Sequence, residues 1–292
     1  MRVAIQGELG SFSHEAARSM LPGATIVPCT TAGDVFRALL LSQADVAVVP
    51  IENSLVGPVV EFYDLLFEHD VWITQEKLVR IRHNLIARPG SSLGQITHVL
   101  SHPVALSQCR KFLDAHPQIE AVAHYDTAGS VRTILQADDP SHAAIASAQA
   151  AEQYGGEVLL AGIEDNLENY TRFLLLQRKG AVGTLQTGKT PLQGPPLTGP
   201  RNQPAERPNK MSLLFFLENR PGALVQALGV FSDLQLNLTK IVSRPVHGRP
   251  WEYMFYVDVQ LPGPEAADLA VQQLQRVCPV VKELGRYRAA IE

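Results

Sequence analysis

Between residues 179 and 208 the sequence loses its apolar periodicity and fills with proline, glycine and small polar residues. Such a stretch has too little to bury and reads as an exposed linker with partial polyproline character. It separates two different patterns. Before it, from Arg2 to about Leu176, short β-branched runs alternate with helical ones, the signature of an α/β sheet with helical crossovers. After it, runs at 211–217, 221–234, 236–242, 251–260, 265–277 and 280–284 give the order βαββαβ, a ferredoxin-like module. That module is too small for the main chemistry, so regulation or assembly is its natural role.

The first part reads as two small α/β halves with a return through residues 158–177. This there-and-back path predicts two lobes joined by two connections, with a cleft between them of the kind that binds ligands. The lobes are expected at about 1–80 with 157–178, and at 81–156. Ser13 is the expected cap of a helix through Met20, and Asp126 with Thr127 of the helix reaching about Ala137.

Composition narrows the ligand. With 46% apolar and 18% charged residues the 292-residue chain is globular, and a net charge of −4 without a local Lys/Arg run gives no footprint for nucleic acid. A small molecule is the expected partner. No stretch approaches the roughly 18 apolar residues of a membrane helix, and no secretory signal is visible at the start. Cys29, Cys109 and Cys278 are scattered, which fits reduced thiols in a cytoplasm and gives no metal spacing. His98 and His102 are read as structural. Residues 183–190 (GTLQTGKT) satisfy the phosphate-loop pattern, but Pro191 follows at once and further prolines forbid the helix such a loop needs.

Candidate chemistry gathers at strand ends. Residues 169–173 (NYTRF) set a hydroxyl beside a fixed cation at an expected loop-to-strand junction. Glu52, Asn53 and Ser54 follow a strand expected to end at Pro50, and Ser101 holds the same position after residues 98–100. Gln108 lies one to two turns into a helix opened by Pro103. In α/β sheets these carboxyl ends are where ligands bind. Taken singly, Asn53, Ser54 and Ser101 also suit turns and caps.

Residues 7–17 (GELGSFSHEAA), 50–59 (PIENSLVGPV), 101–109 (SHPVALSQC) and 169–173 resemble, in order and approximate spacing, the prephenate dehydratase family. Residues 222–225 (GALV) and 243–245 (SRP) resemble its phenylalanine-sensing ACT domain. The resemblance implies a two-lobed, periplasmic-binding-protein-like catalytic region over 1–178, a linker over 179–209 and a regulatory ACT domain over 210–288. The implied activity is that of a cytoplasmic lyase of L-phenylalanine biosynthesis, converting prephenate to phenylpyruvate, carbon dioxide and water. It implies no cofactor or metal, feedback by L-phenylalanine, and a homodimer or homotetramer.

Carried onto this chain, the resemblance assigns the essential hydroxyl to Thr171, with a proton relayed from either Glu52 or water. Arg172 either clamps a substrate carboxylate or pairs with Glu164, Asp165 or Glu168 to shape the loop. Asn53, Ser54, Ser101 and Gln108 orient substrate, and Phe173 packs on the ring or the cleft wall. Gly222, Ala223, Leu224, Val225, Asn237, Ser243 and Arg244 form the effector site. Val104 and Val242 depart from the family's usual glutamine and glutamate, and the second removes a carboxylate from the implied effector pocket. The alternatives are an arogenate dehydratase and a non-catalytic two-lobed receptor.

Overall fold

The computed structural model describes residues 1–180, 207–246 and 251–290, so residues 183–190 and most of the expected linker lie outside the described residues. In chain order the elements are β1 (Arg2–Gln6), α1 (Phe12–Met20), β2 (Thr25–Cys29), α2 (Ala32–Leu40), β3 (Val46–Asn53), β4 (Gly57–Pro58), α3 (Val60–Glu68), β5 (Val71–Arg80), β6 (Asn84–Ala87), β7 (His98–Ser101), α4 (Pro103–Ser107), α5 (Arg110–Ala115), β8 (Glu120–Ala123), α6 (Thr127–Ala137), β9 (His142–Ala146), α7 (Ala148–Tyr154), β10 (Glu157–Ala161) and β11 (Tyr170–Arg178). The C-terminal module follows as β12 (Lys210–Leu217), α8 (Ala223–Asp233), β13 (Leu238–Pro245), β14 (Tyr253–Gln260), α9 (Pro264–Val277) and β15 (Val281–Tyr287). Packing divides the chain into two units, Met1–Gly57 with Leu78–Phe173, and Pro58–Lys77 with Leu174–Glu292.

The first unit holds two sheets. In one, β1 lies between β2 and β3 and is parallel to both, and β11 follows β3. Val3–Ile5 and Val46–Val49 are almost wholly buried, as expected of strands covered on both faces. The other sheet has the order β10-β6-β9-β7-β8. Residues 157–161 were expected with the first lobe, but they form β10 and pair antiparallel with β6 in this second sheet. Leu159 and Leu160 account for the placement, because they pack on the core around Leu85, Val99 and Ile145. Ser11, not Ser13, caps α1 by accepting from His14 N; Ser13 is buried within the first turn. Asp126 caps α6 as expected.

The second unit is built on the sheet β13-β14-β12-β15, with the βαββαβ order read from sequence. Alternation along β12 gives it two faces. Met211, Leu213 and Phe215 join Val257, Val259 and residues of α8 and α9 in one core. Ser212, Leu214 and Phe216 on the other face are also buried. What meets them is the segment 58–77. Tyr63 of α3 stands edge-on to Tyr256 at 4.9 Å, and Phe67 to Phe216 at 5.0 Å. Lys210 Nζ reaches Glu76 Oε1 at 2.7 Å, and Arg244 pairs with Asp64 at 2.8 Å. Packing therefore does not follow the boundary expected at residue 178. A sheet buried on both faces needs a second cover, and α3 with β5 supplies it. The approach is close at Gly285, where a Cβ would collide with the backbone oxygen of Ile73.

Candidate active site

Two strands run further than expected at ends that lie in the first unit, and this builds the site. The long apolar strand was expected to begin at Phe173, yet β11 starts at Tyr170, so Thr171 and Arg172 are strand residues and not loop residues. Likewise β3 continues past Pro50 to Asn53. Ser54 N donates to Tyr170 O (2.8 Å), and Ser54 Oγ both accepts from Tyr170 N (2.9 Å) and donates to Glu168 O (3.0 Å). Ser54 thus fastens the two strand ends together.

Asn53 is the hub. Its Nδ2 donates to Asn169 Oδ1 (2.7 Å), Thr171 Oγ1 (3.0 Å) and Tyr170 O (3.2 Å), while its Oδ1 accepts from the amides of Leu55 and Val56 at 3.0 Å each. Two hydrogens serve three acceptors, so at least one is shared. Because Thr171 Oγ1 accepts from Asn53, its own hydrogen is left to point elsewhere. Asn169 extends the chain by donating to Gln108 Oε1 (3.1 Å), which also accepts from His83 Nε2 (2.8 Å). The Gln108 amide nitrogen has no protein partner among the described residues and remains a donor.

A charged pair is formed by the sequence neighbours of Asn53 and Thr171 on the same two strands. Arg172 is 8% exposed, and its Nη2 lies 3.5 Å from Glu52 Oε2. Of the three loop acids considered as partners, two are engaged elsewhere: Glu164 accepts from His83 N, and Asp165 from the amides of Arg110 and Lys111. Burial lowers the His83 pKa more strongly than its bond to Gln108 and the nearby Glu164 raise it. His83 is therefore neutral in the fold. The unfolded chain takes up this proton near 6.5, the folded chain only below that, so protons favour unfolding. Stability is expected to fall as pH drops below 6.5. Urea unfolding of wild type and His83→Gln at neutral and acidic pH checks this; a gap between the two that stays constant with pH would contradict it.

Not every expected residue joins the cluster. Ser101 is fully buried and donates to Ile145 O (2.6 Å), which makes it a sheet fastener with its proton committed. Phe173 is 2% exposed and belongs to the core. Gln108 caps the end of the short α4 and does not lie within it. Asn169 and His83 were not singled out from sequence; Asn169 stood inside the quoted 169–173 motif, while His83 carried no local signal. His102 Nδ1 accepts from Val104 N at the start of α4, and the ring stacked on His98 is that of His142.

Residues 3–181 match the family described as prephenate dehydratase. The chain belongs to the prephenate dehydratase family. Residues 211–276 match the ACT domain. The relative named Arogenate dehydratase/prephenate dehydratase 2, chloroplastic, from Arabidopsis thaliana is 36% identical, over 98% of this chain and 72% of that protein. Among solved structures, prephenate dehydratase from Arthrobacter aurescens in complex with L-Phe has TM-score 0.82 and 32% identity, covering 99% of this chain and 90% of its own. A structure described as GqqA, a novel type of quorum quenching acylase, has TM-score 0.84 and 31% identity, covering 99% and 98%.

Within the ACT domain of this family member, Gly222 adopts φ +79° and Ala223, Leu224 and Val225 form the first turn of α8. Val225 is strongly exposed at 73%. Asn237 bonds Gln260 Oε1 at 2.8 Å, and Ser243 and Arg244 lie on β13, with Arg244 turned to Asp64. Among the described residues no helix is long and apolar enough to cross a membrane.

Proposed function

We propose that this protein catalyses the decarboxylating dehydration of prephenate to phenylpyruvate in L-phenylalanine biosynthesis, under feedback by L-phenylalanine. Family membership supports the activity, and one geometric observation supports the assignment of roles: Thr171 Oγ1, held on a buried strand, accepts from Asn53 and keeps its hydrogen for a ligand. In this reaction the bond from ring carbon to carboxylate breaks, and its electron pair moves through the ring as hydroxide leaves from the opposite carbon. Aromatisation drives the step. The protein has to protonate the leaving oxygen and hold the substrate.

Thr171 supplies the hydrogen bond to the departing oxygen. Its hydroxyl is a weak acid, so the proton itself arrives from Glu52 or from water. Arg172 clamps a substrate carboxylate, which competes with Glu52 for the guanidinium when substrate enters. The Gln108 amide nitrogen is a neutral donor to the same ligand. Arg172→Lys keeps the charge but loses the planar fork, and kcat/KM is expected to fall by about tenfold or more. Unchanged kinetics in that variant would reduce Arg172 to a partner of Glu52.

The likeness to GqqA raises an acylase reading, which would need a nucleophilic hydroxyl next to a base. The nearest bonded neighbour of Thr171 Oγ1 is the amide of Asn53, which donates and cannot take a proton. The decisive assay incubates purified protein with prephenate and chelator and follows phenylpyruvate by its ultraviolet absorbance, with arogenate and an acylated amine in parallel. Turnover of prephenate supports the reading; turnover of the acylated amine alone would overturn it. Preference for arogenate would move the assignment to the amino-acid form of the same ring. We assign catalysis to residues 1–178 and sensing to 210–288, place the protein in the cytoplasm, and expect a homodimer or homotetramer.

A further inference from the structure

A cavity of about 370 Å³ opens in the first unit, walled by Phe12, Glu15 and Arg18 of α1, by Arg80 and Arg82, and by Glu152 of α7. Its relation to the Thr171 cluster follows from alternation. Residues 80–83 alternate between exposed and buried, with Ile81 and His83 inside and Arg80 and Arg82 outside. His83 turns to Gln108, and Ile81 N donates to Asn169 O, so the inner pair serves the cluster already described. The two arginines face the other way, into the cavity.

The arginines there are exposed and have no partner within the protein among the described residues. Arg18, Arg80 and Arg82 make no side-chain hydrogen bond or ion pair among the described residues. Three guanidiniums outnumber the two carboxylates, Glu15 and Glu152, in this lining, so the space keeps a net positive charge that an anion between the arginines offsets. The positive field is felt locally: after burial, Arg18 is the second cause that depresses His14. Glu15 is half-buried, also without a bonded partner, and burial raises its pKa. Phe12 adds an apolar wall, and its ring stands edge-on to His83 at 5.7 Å, which links the cavity to the amide chain from behind.

We propose that this cavity is a second ligand site, for a small organic molecule carrying two or more carboxylate or phosphate groups. Arg80, Arg82 and Arg18 bind its anionic groups, Phe12 packs on its carbon skeleton, and Glu15 accepts from an ammonium or hydroxyl on it. A volume of this size is at the lower end of small-molecule sites. The proposal does not depend on which reaction the Thr171 cluster performs.

Titration calorimetry of the full chain with citrate and, separately, with inorganic pyrophosphate tests it and distinguishes carboxylate from phosphate as the preferred group. Saturable binding is expected for at least one probe, weakened about tenfold or more by the Arg80→Gln/Arg82→Gln double change, and unaltered by Arg172→Gln. Arg18→Gln, at an exposed helical position, gives a second variant whose fold is not in question and is expected to weaken binding in the same direction. Circular dichroism verifies that each variant is folded. No saturable binding to wild type at millimolar probe would overturn the proposal. Equal affinity in the double variant and in Arg18→Gln would do the same, as would loss of binding on Arg172→Gln, which would place the anion in the Thr171 cluster. An inactive protein that still binds citrate through Arg80 and Arg82 would refute the dehydratase reading and leave this site standing.

Discussion

Replacing Thr171 by alanine is expected to lower turnover by about 10²–10⁴-fold while substrate affinity changes much less. The reason lies in where the hydroxyl sits. Asn53 occupies one lone pair of Oγ1 at 3.0 Å, β11 fixes the backbone, and the residue is 8% exposed, so its hydrogen has little freedom to wander. Such an arrangement helps most when negative charge builds on the leaving oxygen, and little when a neutral hydroxyl is bound. Thr171→Ser keeps the donor and is expected to recover part of the rate. Steady-state kinetics of both variants on prephenate provide the check. An alanine variant with near-normal kcat would exclude Thr171 from the chemistry and leave Glu52 or bound water as the proton source.

Much of this site was legible in the residues, and what was not follows a physical pattern. Local signals carried far: strands running up to Pro50 and Leu100, though β3 and β7 continue to Asn53 and Ser101, the cap at Asp126 and the βαββαβ order all rest on neighbours in sequence. Contacts between distant segments carried no such signal. Nothing near Asn53 announces that its amide will meet Asn169, more than a hundred positions away, and nothing near Ser101 says that its hydroxyl will be taken by Ile145 O. The start of β11 was placed late because Tyr170, Thr171 and Arg172 are polar or amphipathic, and only pairing with β3 makes them strand. The partner of Arg172 was sought among nearby loop acids and is Glu52. His83 reads as an ordinary core histidine until Gln108 is found against it. The same limit applies to α3, whose role as a cover for the C-terminal sheet depends on residues about 190 positions later.

That cover determines what happens when the chain is cut. A fragment of residues 1–180 retains every residue of the Thr171 cluster, so dehydratase activity should survive at low temperature. Inhibition by phenylalanine should disappear, because residues 210–288, to which we assign sensing, are gone and coupling requires both sites. Stability should suffer heavily. Tyr63 and Phe67 lose the rings of Tyr256 and Phe216, Glu76 loses Lys210, and Asp64 loses Arg244. Uncovering two aromatic side chains at about 1.5–3 kcal/mol each, with the partner of the buried Glu76 removed at about 3–5 kcal/mol, costs roughly 6–11 kcal/mol. For a fragment of this size the melting temperature should drop by about 12–40 °C. Thermal unfolding followed by circular dichroism, with dye binding to report exposed apolar surface, measures this directly. Inhibition is scored against the fragment's own rate at a temperature where it remains folded. A fragment that melts with the intact chain would mean that α3 and β5 do not depend on the C-terminal sheet for their stability. An active fragment still inhibited at the same phenylalanine concentration would place the effector within residues 1–180.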